Sequence, residues 1–222
     1  MMQLWQIALL VIGAYLLGAI PFGLIVAALK GVDIRRQGSG NLGATNVGRV
    51  LGRKWGVLVF VLDCGKGLVT TLVANALLSA GGQAATDATL TDLVLLGVGM
   101  CCVLGNIAPV YLRFKGGKGV ATSLGVIFGI YPYLTWPGLI SFAVWAVVVK
   151  LSGYVSLGSI VAACCLPIAF LLLSSVSEWT VAEHYPLLCL TLGMWLLVMV
   201  RHRSNIRRLL SGTENRVSDG RP

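Results

Sequence analysis

Charge is scarce in this 222-residue chain, and negative charge scarcest: eight Asp and Glu stand against seventeen Lys and Arg. With 11% charged and 57% hydrophobic residues, it has too little polar surface to wrap so much apolar material in water, which excludes a soluble globule. Histidine is nearly absent. His184 and His202 are the only two, too few and too far apart for a paired-histidine zinc helix. The six cysteines all fall inside apolar runs and none forms a C-x-x-C, so they read as reduced packing residues. No metal and no cofactor is expected. A Walker A loop is missing as well, because its Ser or Thr is replaced by Gly119.

What the chain does have is long apolar runs, each able to cross about 30 Å of hydrocarbon at about 1.5 Å per residue. They predict an all-α integral membrane protein, a single polytopic domain over residues 1–222. Seven helices are expected, at about 4–29, 55–80, 93–112, 119–133, 134–150, 157–176 and 184–200. The first run lacks a basic lead-in and a small-residue cleavage site, so it reads as a retained helix. The stretch 119–150 would be about 48 Å long as one helix, and Pro132 and Pro137 divide it into two.

Charge parity supports seven. The loops 30–54, 113–118, 150–156 and 201–222 then share a side and hold sixteen of the seventeen Lys and Arg. Loops 81–92 and 177–183 hold none, but carry Asp87, Asp92, Glu178 and Glu183. The positive-inside rule puts the N-terminus outside and the C-terminus in the cytoplasm. The net charge of +9 suits anionic lipid without any nucleic-acid partner.

The basic residues keep unusual company. Gly38 to Asn46 reads GSGNLGATN, where glycines bring backbone N–H groups close to a ligand and Ser39, Asn41, Thr45 and Asn46 offer neutral donors and acceptors. Arg49 follows, a bidentate partner for phosphate. A second loop, FKGGKGVATS from Phe114 to Ser123, carries Lys115, Gly116, Gly117 and Lys118 into a helix N-terminus, where added lysine makes sense chiefly if an anion binds. The plainer alternatives are a polar connector for the first and a snorkelling anchor for the second.

Two further groups stand out. Asp63 and Lys66 lie inside a span, as a functional site or as a self-neutralising i,i+3 pair. After the last span, His202 and Asn205 share a helical face at the membrane boundary, and SGYVSLGS, containing Ser156, is expected to help wall a pocket. A carrier for an organic phosphate would also explain cationic loops. It predicts polar mid-membrane residues and polar access from outside, and the outer loops hold no Lys or Arg.

GSGNLGATN, LDCGKG, FKGGKGVAT, SLGS and HRSNIRRLLSGTENR occur in an order and spacing that resembles the PlsY family of bacterial glycerol-3-phosphate acyltransferases over nearly the whole chain. The resemblance implies transfer of a fatty acyl group from acyl phosphate to glycerol 3-phosphate, giving 1-acylglycerol 3-phosphate and inorganic phosphate. It further implies residence in the bacterial cytoplasmic (inner) membrane, among membrane lipids, with the active site on the cytoplasmic side. Carried over, Ser39, Lys118, His202 and Asn205 are expected to be catalytic, and Arg49, Thr45, Asn46, Lys115, Gly116, Gly117 and Lys118 to bind substrate phosphate. Asn41, Asp63, Lys66, Asn106, Ser156 and Glu214 are further candidates. Either His202 or the substrate's own phosphate takes the hydroxyl proton. One departure stands out: the family's usual Gly-His pair before a proline is Gly105-Asn106 here, and Asn106 carries no proton at neutral pH.

Overall fold

A computed structural model describes residues 3–80 and 88–217. The described residues form ten α-helices: α1 Leu4–Gly18, α2 Phe22–Ala28, α3 Ala44–Leu51, α4 Arg53–Ala80, α5 Ala88–Ile107, α6 Val120–Gly129, α7 Thr135–Ser152, α8 Val155–Ser174, α9 Tyr185–Arg201 and α10 Arg203–Leu210. Short 3-10 turns occur at Ile34–Arg36 and Val110–Leu112. Every apolar run identified in the sequence falls on a helix.

Two runs depart from expectation. The first breaks at Ala19–Pro21, because Pro21 has no N–H to continue the ladder. The carbonyl of Ile20, left without its helical partner, accepts a hydrogen bond from Lys66 Nζ at 3.0 Å. The fourth run, expected over 119–133, yields in α6 only ten residues, or about 15 Å, half the hydrocarbon thickness. By length and apolar character five segments among the described residues qualify as spans, and a sixth if α9 and α10 count as one across their 58° bend. The shortfall from seven therefore sits at α6. Asp92, expected in an outer loop, lies buried within α5; Asp87 lies outside the described residues.

Helix α4 shows how the bundle is sorted. Gly56, Val59, Asp63, Lys66, Gly67, Thr70, Ala74 and Leu78 repeat at helical spacing and are buried, whereas Val57, Val61, Val69, Leu72, Val73 and Leu77 are exposed on the opposite side. In a bilayer that second stripe meets lipid tails, so exposure costs nothing there. Inward, α4 packs tightly on α6. A Cβ on Gly67 would lie 2.3 Å from the Thr122 carbonyl oxygen, and one on Gly125 would lie 1.9 Å from that of Cys64. This close approach sets the N-terminus of α6, with Lys118, beside the polar stretch of α4.

At the end remote from the glycine-rich loops, His184 Nδ1 lies 2.6 Å from Asp92 Oδ2, and the Tyr133 ring stacks on the His184 ring with centroids 3.8 Å apart. Helices α5 and α9 and the turn before α7 are thereby tied together.

Candidate active site

The glycine-rich loop before α3 is organised by one side chain. Asn46 is 2% exposed; its Oδ1 accepts from the Ser39 backbone N–H at 2.8 Å. Its Nδ2 donates to the Asn41 carbonyl at 2.9 Å, the Gln37 carbonyl at 3.1 Å and, more weakly, the Ile34 carbonyl at 3.4 Å. Both amide hydrogens are thus spoken for. Asn46, expected to contact phosphate, here shapes the loop that presents Ser39, Thr45 and Arg49. Asn41 also works locally, its Oδ1 accepting from Gly43 N–H at 2.9 Å.

The second glycine loop is corrected in the same way. Gly116 N–H donates to the Ile107 carbonyl at 3.1 Å and Gly117 N–H to the Asn106 carbonyl at 3.0 Å, so the N–H groups expected to face phosphate are hydrogen-bonded to the end of α5. Their carbonyls accept from the Arg201 guanidinium at 3.0 to 3.2 Å. Glycine is required at 116 for packing, since a Cβ there would fall 2.2 Å from the Asn106 carbonyl oxygen. Lys115 is exposed and off the cavity. The loop instead turns at Gly119, with φ of +79°, and delivers Lys118 inward.

Lys118 Nζ donates to Asn205 Oδ1 at 2.6 Å. Asn205 Nδ2 donates to Glu214 Oε1 at 2.6 Å, as does Ser156 Oγ at 2.8 Å, and Arg208 Nε meets Glu214 Oε2 at 2.7 Å. Arg208, not among the candidates read from the sequence, is part of this network. Burial pushes the Lys118 ammonium down to about 8; Glu214 opposes that shift, while Arg208, Arg201 and Arg49 add to it.

His202 is 2% exposed, at the joint between α9 and α10. Its Nδ1 lies 2.8 Å from the Val198 carbonyl, which can only accept, so the proton sits on Nδ1 and Nε2 keeps its lone pair. Burial, with help from Lys118, pushes its pKa down to about 4. The ring is therefore neutral at physiological pH.

These groups enclose one cavity of about 280 Å³. Its polar end is lined by Ser39, Thr45, Arg49, Lys118, His202 and Asn205, with Asn41, Asn46, Asp63, Asn106, Ser156 and Glu214 also on the wall. Its apolar arm runs between helices past Ile127, Phe142, Trp145, Ala163, Leu166 and Met194. Most residues singled out in the sequence thus converge, from six separated segments. Lys66 does not: it pairs with Asp63 at 2.7 Å and faces the α1–α2 break, the self-neutralising alternative. Asn106 Nδ2 reaches Asp63 Oδ1 only at 3.4 Å.

Sequence reasoning missed Arg201, Arg208, Thr122 and Ser123. The last two line the cavity with hydroxyls that, among the described residues, have no hydrogen-bond partner. Their place in FKGGKGVATS was the available signal. Among the described residues Arg49 and Lys118 have no carboxylate within ion-pair distance. Two cations left unneutralised at the wall of a largely apolar pocket invite an anionic ligand.

Known proteins match this chain in sequence and in fold. The family profile described as Glycerol-3-phosphate acyltransferase covers residues 8–212. Glycerol-3-phosphate acyltransferase of Aquifex aeolicus is 46% identical over 93% of this chain and 97% of its own. That of Geobacter sulfurreducens is 45% identical over 91% and 93%. Among solved structures, the crystal structure of PlsY, an integral membrane glycerol 3-phosphate acyltransferase, in its glycerol 3-phosphate form, superposes with a TM-score of 0.79 at 44% identity over 95% of each chain. Its lysophosphatidic acid form gives 0.77. With a family profile matched over residues 8–212 and relatives more than 40% identical over nearly its whole length, this chain belongs to the glycerol-3-phosphate acyltransferase family.

Proposed function

We propose that the chain acylates glycerol 3-phosphate with acyl phosphate as donor, at the cytoplasmic face of a bacterial inner membrane, in a first acylation of phospholipid synthesis. The observation that carries this reading is the pair of carboxylate-free cations, Arg49 and Lys118, at the mouth of an apolar arm. Both substrates carry phosphate, and the donor also carries a chain suited to the arm.

The reaction needs little from the protein beyond placement. The glycerol hydroxyl oxygen attacks the acyl carbonyl, the bond from carbonyl carbon to phosphate oxygen breaks, and the hydroxyl proton passes to the departing phosphate, which leaves as hydrogen phosphate. Phosphate, with a second pKa of about 6, is a better proton acceptor than a histidine at about 4. His202 Nε2 then serves as hydrogen-bond acceptor that orients the hydroxyl. Lys118 and Arg49 stabilise charge on the phosphates, while Ser39, Thr45 and Asn205 position substrate.

Seven crossings with the N-terminus outside remain the preferred topology. Gly117 pairs with Asn106 at one end of the bundle, and Tyr133 stacks on the His184 that binds Asp92 at the other. Residues 117–133 therefore cover the same layer as 92–106 of α5, so that α6 and the turn after it traverse together. The Lys- and Arg-rich ends lie around the cavity, which favours a cytoplasmic site.

Purified protein given acyl phosphate and glycerol 3-phosphate is expected to release phosphate and form 1-acylglycerol 3-phosphate. Turnover with acyl-CoA and none with acyl phosphate would overturn the donor assignment. A pH series supplies a second check. As pH rises through about 8, free Lys118 loses its charge, so KM for glycerol 3-phosphate should climb above that value. In Lys118→Arg, whose guanidinium stays charged, the climb should vanish even if the rate is lower.

A further inference from the structure

The chain beyond α10 doubles back over the cavity. Gly212, with φ of +70°, lets it reverse, and Thr213 N–H bonds the Arg208 carbonyl at 2.8 Å. Further along, Arg216 Nε donates to Tyr154 Oη at 3.1 Å and Val217 N–H donates to the Gly153 carbonyl at 2.9 Å. Gly212–Val217 is thus a strap from α10 to the turn between α7 and α8. Its residues are exposed except Glu214, whose side chain is only 7% exposed and enters the cavity.

The seat of that carboxylate is built for an anion. A hydroxyl from Ser156, an amide from Asn205 and a guanidinium from Arg208 converge on its two oxygens within 2.6 to 2.8 Å, and Lys118 stands directly behind Asn205. These donors sit on α8, α10 and the loop before α6, elements that the bundle holds in place without the strap. Burial alone would push the Glu214 pKa up, and hydrogen bonds from Asn205, Ser156 and Arg208 reverse the shift to below the ordinary value. A carboxylate offers two oxygens where a phosphate ester offers three and more charge, so the same donors suit a phosphate better.

We propose that Glu214 is a built-in competitor: its carboxylate fills a phosphate seat made by Ser156, Asn205 and Arg208, and a phosphate-bearing ligand binds there by displacing it and lifting the strap. The ligand class, a phosphate monoester or acyl phosphate, rests on the acyltransferase reading; the displacement itself does not. A seat closed about nine-tenths of the time weakens apparent phosphate binding about tenfold. The strap would thereby hold the cationic cavity closed to weaker anions until a dianion arrives.

Inorganic phosphate binding to the full chain in detergent micelles tests the displacement without any turnover. Glu214→Gln, which keeps an acceptor but loses the charge, should bind phosphate several-fold more tightly than the parent. Val217→Pro removes the N–H that anchors the strap to Gly153 and leaves the seat intact, so it should tighten binding in the same direction. Hydrogen exchange in residues 211–217 of the parent should accelerate on saturation with phosphate. If phosphate instead protects the strap, or if both variants bind phosphate as weakly as the parent or more weakly, Glu214 is a supporting member of the site and the proposal fails. Failure of the acyl-phosphate assay with successful displacement would condemn the donor assignment alone.

Discussion

Lys118→Ala is expected to cut kcat/KM for acyl transfer by about 100-fold or more, roughly 2.7 kcal/mol of transition-state stabilisation, as for loss of a preorganised charge. The size follows from where the ammonium sits. Gly119 turns the loop, the tight α4–α6 contact at Gly67 and Gly125 fixes the helix behind it, and Asn205 holds Nζ at 2.6 Å. Among the described residues no carboxylate pairs with it, so its charge is available to a ligand without first breaking an ion pair. A lysine that merely snorkelled toward headgroups would leave kcat/KM near normal when removed. Lys115, exposed and off the cavity on the same loop, supplies the internal control: Lys115→Ala should change kcat/KM by less than about twofold, as for a surface substitution. Steady-state phosphate release by both variants, with thermal unfolding in detergent as a check on folding, separates the two outcomes.

The contrast between Lys115 and Lys118 also marks how far sequence could reach. Residue type and loop composition are written in the chain, and they pointed to the right segments: Ser39, Thr45, Arg49, Lys118, His202 and Asn205 do meet around one cavity. The direction in which each side chain points depends on backbone geometry that composition does not encode. Two lysines three residues apart in a glycine-rich turn look alike until the turn at Gly119 is seen. For the same reason Gly116 and Gly117 read as a phosphate cradle, although their N–H groups are taken by the end of α5. Arg208 escaped notice because its partner, Glu214, lies across a chain reversal. Apolar runs located the long helices but not α3, which lies inside the stretch 30–54 read as a loop. The fourth run reads as one continuous helix because apolar character continues through residues 130–134 after the helix of α6 has ended.

Asn46→Ala is the second substitution with a large expected effect, and it discriminates between two kinds of contribution. The side chain is buried and joins four points of the loop, Ile34, Gln37, Ser39 and Asn41. Truncation leaves those backbone groups without partners, at about 1–3 kcal/mol for each one that water cannot reach. The loop is expected to lose its fold locally, and activity to fall by at least about tenfold, with KM for glycerol 3-phosphate and for the proposed acyl-phosphate donor both rising because Ser39, Thr45 and Arg49 are all misplaced. Asn46→Asp should be no better. A carboxylate can accept from Ser39 N–H, but it cannot donate to three carbonyls and would set a negative charge against them. A direct phosphate ligand would behave differently: its loss would raise KM for one substrate and leave hydrogen exchange in residues 34–46 unchanged. Faster exchange across that segment in both variants, together with rising KM for both substrates, is the expected signature of a residue that builds the binding loop from within.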